Sequence, residues 1–161
     1  MLPLMPTTRL LALGGSAVFD PADVALVAYA ALVGDAAWPA GLSITVDADP
    51  LRLPFVEGVF DAALAMTPLE PPGLRELWRV LGPAGVLVAV VPRRALIPRE
   101  TGFGGAHHSR SSLTKLLDAA MFEPGEWTKV AGVHVVRATK RDGLAPIGGG
   151  GTAALARLSP A

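Results

Sequence analysis

The chain has 161 residues, of which 51% are hydrophobic and 17% charged, and its 14 basic and 14 acidic residues leave it without net charge. That length suffices for one domain with its own core, and the balanced charge argues against binding of nucleic acid or of an anionic membrane surface. Cysteine is absent from the sequence, which excludes disulfides and thiolate nucleophiles and favours a cytoplasmic location.

The N-terminal third consists of short apolar segments separated by glycine and proline. RLLALG at 9–14 predicts a buried strand that a glycine pair ends. Asp20 and Pro21 are typical of a helix start and Gly34 of a helix end, so a buried helix is expected between them. A strand through VALVAYA at 24–30 fits the same apolar pattern. The longest apolar run here is about half as long as a bilayer-spanning helix, so no membrane segment is expected.

The following segments alternate between predicted strands and predicted helices. LSITVD at 42–47 and FDAALAM at 60–66 are typical of strands. The continuous apolar run GVLVAVV at 85–91 is typical of a central parallel strand covered on both faces. VHVVRATK at 133–140 alternates in polarity and is expected to pair with EWTKV at 126–130.

Two stretches have the apolar spacing of amphipathic helices. Gly82 and Pro83 are expected to end the first helix, and Ser109 or Ser111 to cap the second. The apolar stripes are Leu74, Leu77, Trp78 and Leu81 in the first helix, and Leu113, Leu116, Leu117 and Ala120 in the second.

This alternation predicts an α/β fold, with a Rossmann-like and mostly parallel sheet, helices on both faces and a C-terminal antiparallel hairpin. Residues 1–140 are expected to form this single domain, and the Gly-rich residues 141–161 a flexible tail. Ligands of such sheets bind beyond the carboxyl ends of the strands. A ligand site is therefore expected near residues 14–16, 47–49, 66–68 and 92–94.

Three segments carry motifs in a recognisable order: VDADPLRLPFVEGVFDAALAMTPLE, LRELWRVLGPAGVLVAVVP and SSLTKLLDAAMF. The motifs are a strand that ends at Asp47, the Leu-Pro-Phe at 53–55, a Phe-Asp at 60–61 and the turn RVLGPAG at 79–85. In this order and spacing, over roughly 43–140, the chain resembles the class I S-adenosylmethionine-dependent methyltransferases of small molecules.

The resemblance implies a methyl transfer from S-adenosylmethionine to a small-molecule acceptor. Asp47 would accept a hydrogen bond from the exocyclic amine of adenine, while Ala48 leaves room for the ring and Pro54-Phe55 form an apolar lid. Alternatively, Asp47 caps a turn and Phe55 belongs to the core; Asp49 and Asp61 are expected to be structural. The cofactor-binding positions that the resemblance implies are Gly14, Gly15, Ser16, Asp47, Ala48, Met66 and Thr67.

The chain departs from the family's pattern in its N-terminal part. The family's Asp-x-Gly-x-Gly-x-Gly loop corresponds here to Gly14-Gly15-Ser16, with no acidic residue in the preceding strand. Only one helix fits between Gly15 and Leu42, so one strand–helix unit, together with an acid that binds the ribose, is expected to be missing. The exposed apolar side of the sheet would then be covered by a second copy or by another protein. A catalytically inactive protein that serves as an interaction or scaffold subunit is the alternative function.

His107 and His108 are the candidates for a general base, because they are adjacent titratable groups near the expected cleft. The alternative is a solvated loop in which the next residue caps a helix. Arg93 and Arg94 would bind an acidic substrate or lie in solvent. No metal site is expected, and His134, inside an alternating strand, is expected to be structural.

Overall fold

The computed structural model describes residues 8–14, 29–33, 43–66, 69–92, 108–130 and 133–142. These residues form seven strands and two helices. In chain order the elements are β1 (Arg9–Leu13), β2 (Tyr29–Val33), β3 (Ser43–Val46), β4 (Phe60–Ala65), α1 (Pro71–Val80), β5 (Leu81–Pro92), α2 (Arg110–Ala119), β6 (Phe122–Val130) and β7 (Val133–Lys140).

All seven strands belong to one sheet with the order β3-β2-β1-β4-β5-β7-β6. The first five strands of this order are parallel. β7 is antiparallel to both β5 and β6. The chain leaves β1 toward β2 and β3 and later returns to the other side of β1 as β4. This reversal makes the β1–β4 boundary the topological switch point, where ligands of such sheets bind.

The predicted Rossmann-like sheet and its C-terminal hairpin are confirmed, but the predicted loss of a strand is wrong. β2 runs through residues 29–33, where a helix was expected, and restores the full row of parallel strands. The remainder of the predicted helix, 21–28, lies outside the described residues. An apolar run between two other strands of a sheet carries the same pattern as a buried helix, so periodicity did not separate them.

Both faces of the strands β1, β4 and β5 are buried, as expected of central parallel strands. One cluster contains side chains of the sheet with those of both helices, including Leu11, Leu87, Leu74 and Leu113. The second cluster lies on the opposite face and contains Ala12, Leu64, Met66, Val86 and Val88.

The predicted uncovered side of the sheet would lie at β2 and β3, and the side chains at 29–33 and 43–45 are outside those that the structure describes. Among the described side chains, the large exposed hydrophobic ones are Leu51, Val56 and Met121, which belong to three separate segments. The strand whose expected loss was the reason for a covering partner is present as β2.

The second helix begins where expected, and the first ends earlier than expected. Prolines occupy the first positions of α1, where a missing N–H is tolerated. Leu81, expected to complete the apolar stripe of α1, is instead the first residue of β5 and is fully buried. Ser109 caps α2, because its Oγ accepts a hydrogen bond of 3.1 Å from the Ser112 N–H.

Candidate functional site

The ends of the first four strands meet at one end of the sheet, which we call the carboxyl end. Leu13 at the end of β1 pairs with Val33 of β2 and with Ala65 of β4. Val33 pairs in turn with Val46 at the end of β3. The residues that follow these strands are therefore brought together, and they include the predicted Gly14, Asp47 and Met66.

Gly14 gives the carboxyl end a sharp change of chain direction. Its φ is 71°, in the left-handed region that residues with a Cβ rarely adopt. The carbonyl of the preceding Leu13 accepts a hydrogen bond of 2.9 Å from the Met66 N–H, which ties the end of β1 to the end of β4. A glycine here suits a backbone that a ligand approaches closely. Gly15 and Ser16 lie outside the described residues.

Asp47 directly follows β3 and has an exposed side chain. The turn that follows is capped by Asp49: its Oδ1 accepts the Leu51 N–H and its carbonyl accepts the Arg52 N–H, both at 2.9 Å. Asp49 is structural, as predicted, and the turn does not require the Asp47 carboxylate. Ala48 is half-buried and packs against the core.

A cavity of ≈ 240 Å³ opens at the switch point, between the end of β1, the turn after β3 and the first turns of α1. It is smaller than the roughly 300–1,000 Å³ of sites that enclose a drug-sized ligand, so it suits one ring of a larger molecule. Glu70, at its rim, is exposed, and its side chain does not cap α1. The residues that line the cavity include Leu13, Pro50, Leu51, Leu69, Glu70 and Leu77.

Phe55 does not form the predicted lid of this site. Its ring packs edge-on against Phe60, with centroids 5.0 Å apart and an interplanar angle of 89°. Phe60 is the first residue of β4, so Phe55 lies at the opposite end of the sheet, in agreement with the alternative prediction that it belongs to the core. Pro54 is exposed. The apolar wall of the site comes from Leu51 and Leu69 instead.

Met66 reaches the carboxyl end with its backbone only. Its side chain is 4% exposed and packs in the second core cluster with Leu64 and Val88. A contribution of Met66 to ligand binding is therefore a contribution of its backbone. Thr67 lies outside the described residues.

His108 lies beside the cavity. Its Nε2 is 3.2 Å from the carbonyl oxygen of Leu69, which lines the cavity. A carbonyl only accepts hydrogen bonds, so Nε2 carries the proton in this contact, and a neutral ring keeps its lone pair on Nδ1. The neighbouring Ser109 caps α2, as the alternative explanation of this segment required. His107, Arg93 and Arg94 lie outside the described residues.

The described ranges contain neither a metal-binding cluster nor a membrane-spanning helix. No group of three or more His, Asp or Glu side chains there could hold a metal ion. No helix in that part of the chain is long and apolar enough to cross a membrane. His134 packs edge-on against Trp127, with ring centroids 6.4 Å apart, in keeping with its predicted structural role.

The sequence prediction missed the lining of the cavity. Leu51, Leu69 and Glu70 come from two connecting segments that meet only in the folded chain. The position of the segment 69–70 could have indicated it, because this segment follows β4. The sequence had already predicted a ligand site at the carboxyl end of that strand.

No protein-family model matches the chain, and no curated protein is significantly similar to it in sequence. Its fold is similar to that of 1,6-didemethyltoxoflavin-N1-methyltransferase from Burkholderia thailandensis, solved with bound 1,6-didemethyltoxoflavin and S-adenosylhomocysteine. The identity is 20%, the match covers 84% of this chain and 72% of that one, and the TM-score is 0.66.

Two other solved structures show the range of proteins with this fold. A methyltransferase solved in complex with the Haloferax volcanii Trm112 activator is 12% identical, with a TM-score of 0.70 over 87% of this chain and 85% of that one. The [4+2]-cyclase SpnF is 20% identical, with a TM-score of 0.64 over 85% and 76%. The chain therefore has the fold of the class I S-adenosylmethionine-dependent methyltransferases.

Proposed function

We propose that the protein binds S-adenosylmethionine at the carboxyl end of the sheet and transfers its methyl group to a small molecule. The observation that carries this proposal is the exposed carboxylate of Asp47 at the end of β3, beside a switch point with an apolar cavity. The cofactor supplies an electrophilic methyl group on sulfur. The chain has to bind it, orient the acceptor and exclude water.

The residues of the carboxyl end fit such a cofactor. Gly14 allows close approach of the backbone, and Gly15 and Ser16 follow it in the sequence. The Asp47 carboxylate would accept a hydrogen bond from the adenine amine of the bound cofactor, and Ala48 would leave room for the ring. The sequence also predicted two further binding positions, which are Met66, through its backbone, and the following Thr67.

The position of β2 adds a candidate for the ribose. Asp35 is the second residue after the strand, in the place where the family carries the acid that binds the ribose hydroxyls. Asp35 lies outside the described residues, so its role rests on its position in the sequence. The prediction that this acid was lost depended on a missing strand, and that strand is present as β2.

His108 is the candidate general base among the described residues, and His107 is its neighbour in the sequence. With Nε2 donating to the Leu69 carbonyl, Nδ1 can accept the proton that an acceptor hydroxyl or amine loses as it is methylated. An acceptor that is already a strong nucleophile needs only positioning.

Calorimetry with S-adenosylhomocysteine tests the binding step without requiring turnover. We expect micromolar affinity, and a loss of about tenfold or more in Asp47→Asn, because the carboxylate–amine hydrogen bond is charge-assisted. Glu57→Gln, which alters an exposed carboxylate before β4, is the matched control and should leave the affinity unchanged. Absence of binding at millimolar ligand would contradict the proposal.

A protein of this fold that does not transfer methyl groups is the second candidate. The adjacent glycines Gly14-Gly15 differ from the family's spaced glycines. One structural neighbour is named a cyclase, and another was solved with a protein activator. A homodimer or a complex with another protein belongs to this proposal, and size-exclusion chromatography with light scattering tests the homodimer. Absence of S-adenosylhomocysteine binding in calorimetry, together with the molar mass of a dimer in light scattering, would favour this candidate.

A further inference from the structure

A second cavity lies beside the β6–β7 hairpin. Pro92 at the end of β5 pairs with Val133 at the start of β7, so this end of the hairpin lies at the carboxyl end of the sheet. Its volume is ≈ 390 Å³, within the range of about 300–1,000 Å³ that is usual for sites of small molecules. The residues that line it are Arg110, Trp127, Thr128, Lys129 and His134.

Strand register places three of these side chains on one face of the hairpin. Lys129 is directly opposite His134, and Trp127 is opposite Val136. Val136 is fully buried in the core cluster that also contains side chains of α2. Trp127 packs against the same cluster, so its indole is fixed by the core on one side. Arg110, the first residue of α2, approaches from above this face.

The chemistry of the cavity is cationic and aromatic. The Arg110 guanidinium carbon lies 4.9 Å from the centroid of the Trp127 ring. Stacking orients the guanidinium and leaves the N–H donors in its plane for a carboxylate. Within the described ranges, Arg110 and Lys129 form no ion pair, and no carboxylate lines the cavity.

The nearest acidic neighbour along the strand is engaged elsewhere. Glu126 precedes Trp127 and lies 3.8 Å from the Arg137 guanidinium. Successive residues of a strand point to opposite faces, so Glu126 is directed away from the face of Trp127. The positive charge of the cavity is therefore not neutralised from its own strand.

We propose that this cavity binds a small aromatic carboxylate, with its anion on Arg110 and Lys129 and its flat apolar body against Trp127. The binding itself is independent of methyl transfer. Its role rests on the proposed function: the bound molecule is the methyl acceptor, anchored by its anion.

Titration of ¹⁵N-labelled protein with 2-naphthoate tests the binding. The indole N–H resonance of Trp127, identified by its loss in Trp127→Leu, should shift in a saturable manner. Trp78 provides an internal control, because its indole donates to the Arg141 carbonyl at the far end of the sheet, and its resonance should stay in place. Neutral 2-naphthamide and non-aromatic cyclohexanecarboxylate should each bind at least about tenfold more weakly.

Charge variants locate the anion. Arg110→Gln and Lys129→Gln should each weaken 2-naphthoate binding by about tenfold, the effect of one charge-assisted hydrogen bond. Lys115→Gln, an exposed cation on the same helix as Arg110, should leave it unchanged. An unaltered Trp78 resonance shows that each variant is folded. The proposal is overturned by no shift of Trp127 at millimolar 2-naphthoate, by equal binding of the amide, or by equal effects of Lys115→Gln and Arg110→Gln.

The two proposals fail separately. The titration contains no cofactor, so binding of 2-naphthoate without binding of S-adenosylhomocysteine would retain the pocket and remove methyl transfer. Binding of S-adenosylhomocysteine without binding of 2-naphthoate would remove the pocket and retain methyl transfer. Inorganic phosphate that binds as tightly as 2-naphthoate would reduce the site to a simple anion site and overturn the aromatic part.

Discussion

The two ends of the parallel sheet use their polar side chains differently. At the end where β1, β4 and β5 begin, which we call the amino end, guanidinium groups pair with carboxylates at 2.7–2.8 Å. At the carboxyl end, Asp47 is exposed and two cavities open. Polar contacts that hold the fold are thus concentrated away from the candidate site. The pairs at the amino end are Arg9–Asp61, Arg79–Glu76 and Arg141–Asp118.

Arg79 is the centre of the amino end. Its guanidinium donates to the carbonyls of Phe55 at 2.7 Å and Leu53 at 2.9 Å, and it pairs with Glu76. Glu76 accepts the Leu53 N–H at 2.9 Å in turn. Arg79 and Glu76, which are one turn apart in α1, therefore hold the loop at 53–55 that leads into β4. This explains why Phe55 serves the fold and not the ligand.

Arg79→Met should cause the largest loss, about 2–3 kcal/mol of the free energy of unfolding, because two carbonyls and a carboxylate lose their cationic donor. Urea unfolding measures it. Arg75→Met, an exposed position of the same helix, is the control and should stay within about 0.5 kcal/mol. Affinity for S-adenosylhomocysteine should be unchanged in Arg79→Met. A loss of affinity would show that the two ends are not independent.

Lys140→Met should lower the free energy of unfolding by about 1–2 kcal/mol. The Lys140 ammonium is buried, donates to the Leu81 carbonyl at 2.6 Å and lies 4.0 Å from the centre of the Trp78 ring. Methionine keeps most of the side-chain volume and removes both interactions. Lys115→Met, at an exposed site, is compared in the same urea titrations. Equal stability of the two variants would contradict a structural role of the buried cation.

Acid should weaken the amino end first. The hydrogen bond from Arg79 lowers the pKa of Glu76 below its usual 4.5, and that from Arg9 lowers the pKa of Asp61 below 3.8. A carboxylate whose pKa is lower in the folded state than in the unfolded state stabilises the fold at any pH above its unfolded-state pKa. That stabilisation is lost as the pH falls through the folded-state pKa. Both groups are partly exposed, so each contributes less than about 1 kcal/mol.

The Glu76→Gln variant isolates one of these carboxylates. Urea midpoints measured from neutral pH down to about pH 3 should fall less steeply in the variant than in the parent chain. Parallel curves for Glu76→Gln and the parent would show that this ion pair is not linked to folding.

The smallest effect is expected at the irregularity near the start of β5, between Leu81 and Val86, and it is a gain. Ala84 lies there with a φ of 54°, in the left-handed region that favours glycine. Ala84→Gly should raise the free energy of unfolding by about 0.5–1 kcal/mol, because glycine enters this region without a Cβ clash. Ala119→Gly, at a helical position, should lower it. A loss of stability in Ala84→Gly would contradict backbone strain at this position.

Sequence patterns predicted the later elements well because each pattern had one explanation. The run at 85–91 is apolar at every position and became the buried part of β5. Alternation at 133–140 became β7, paired with β6 as expected. The run at 24–33 failed because a buried strand and a buried helix are equally apolar, and the neighbours β1 and β3 decided between them.

The sequence predicted the location of the candidate site better than the side chains that line it. Asp47 and Gly14 follow strands that the sequence identified, and the rule for parallel sheets brought them together. Phe55 carried the right motif but packs on Phe60 at the other end. The cavity lining at Leu51 and Leu69 was not foreseen, because contacts between distant loops leave no periodic signal.

By itself, the sequence determined the sheet class, the hairpin and the end of the sheet where a ligand belongs, because strand periodicity and turn residues act locally. Tertiary structure alone decided that residues 29–33 complete the parallel row, that Arg79 holds the loop at 53–55, and that Trp127 meets Arg110 beside the hairpin. These outcomes depend on burial and on contacts between segments far apart in the chain. Such contacts arise only when the whole sheet is assembled.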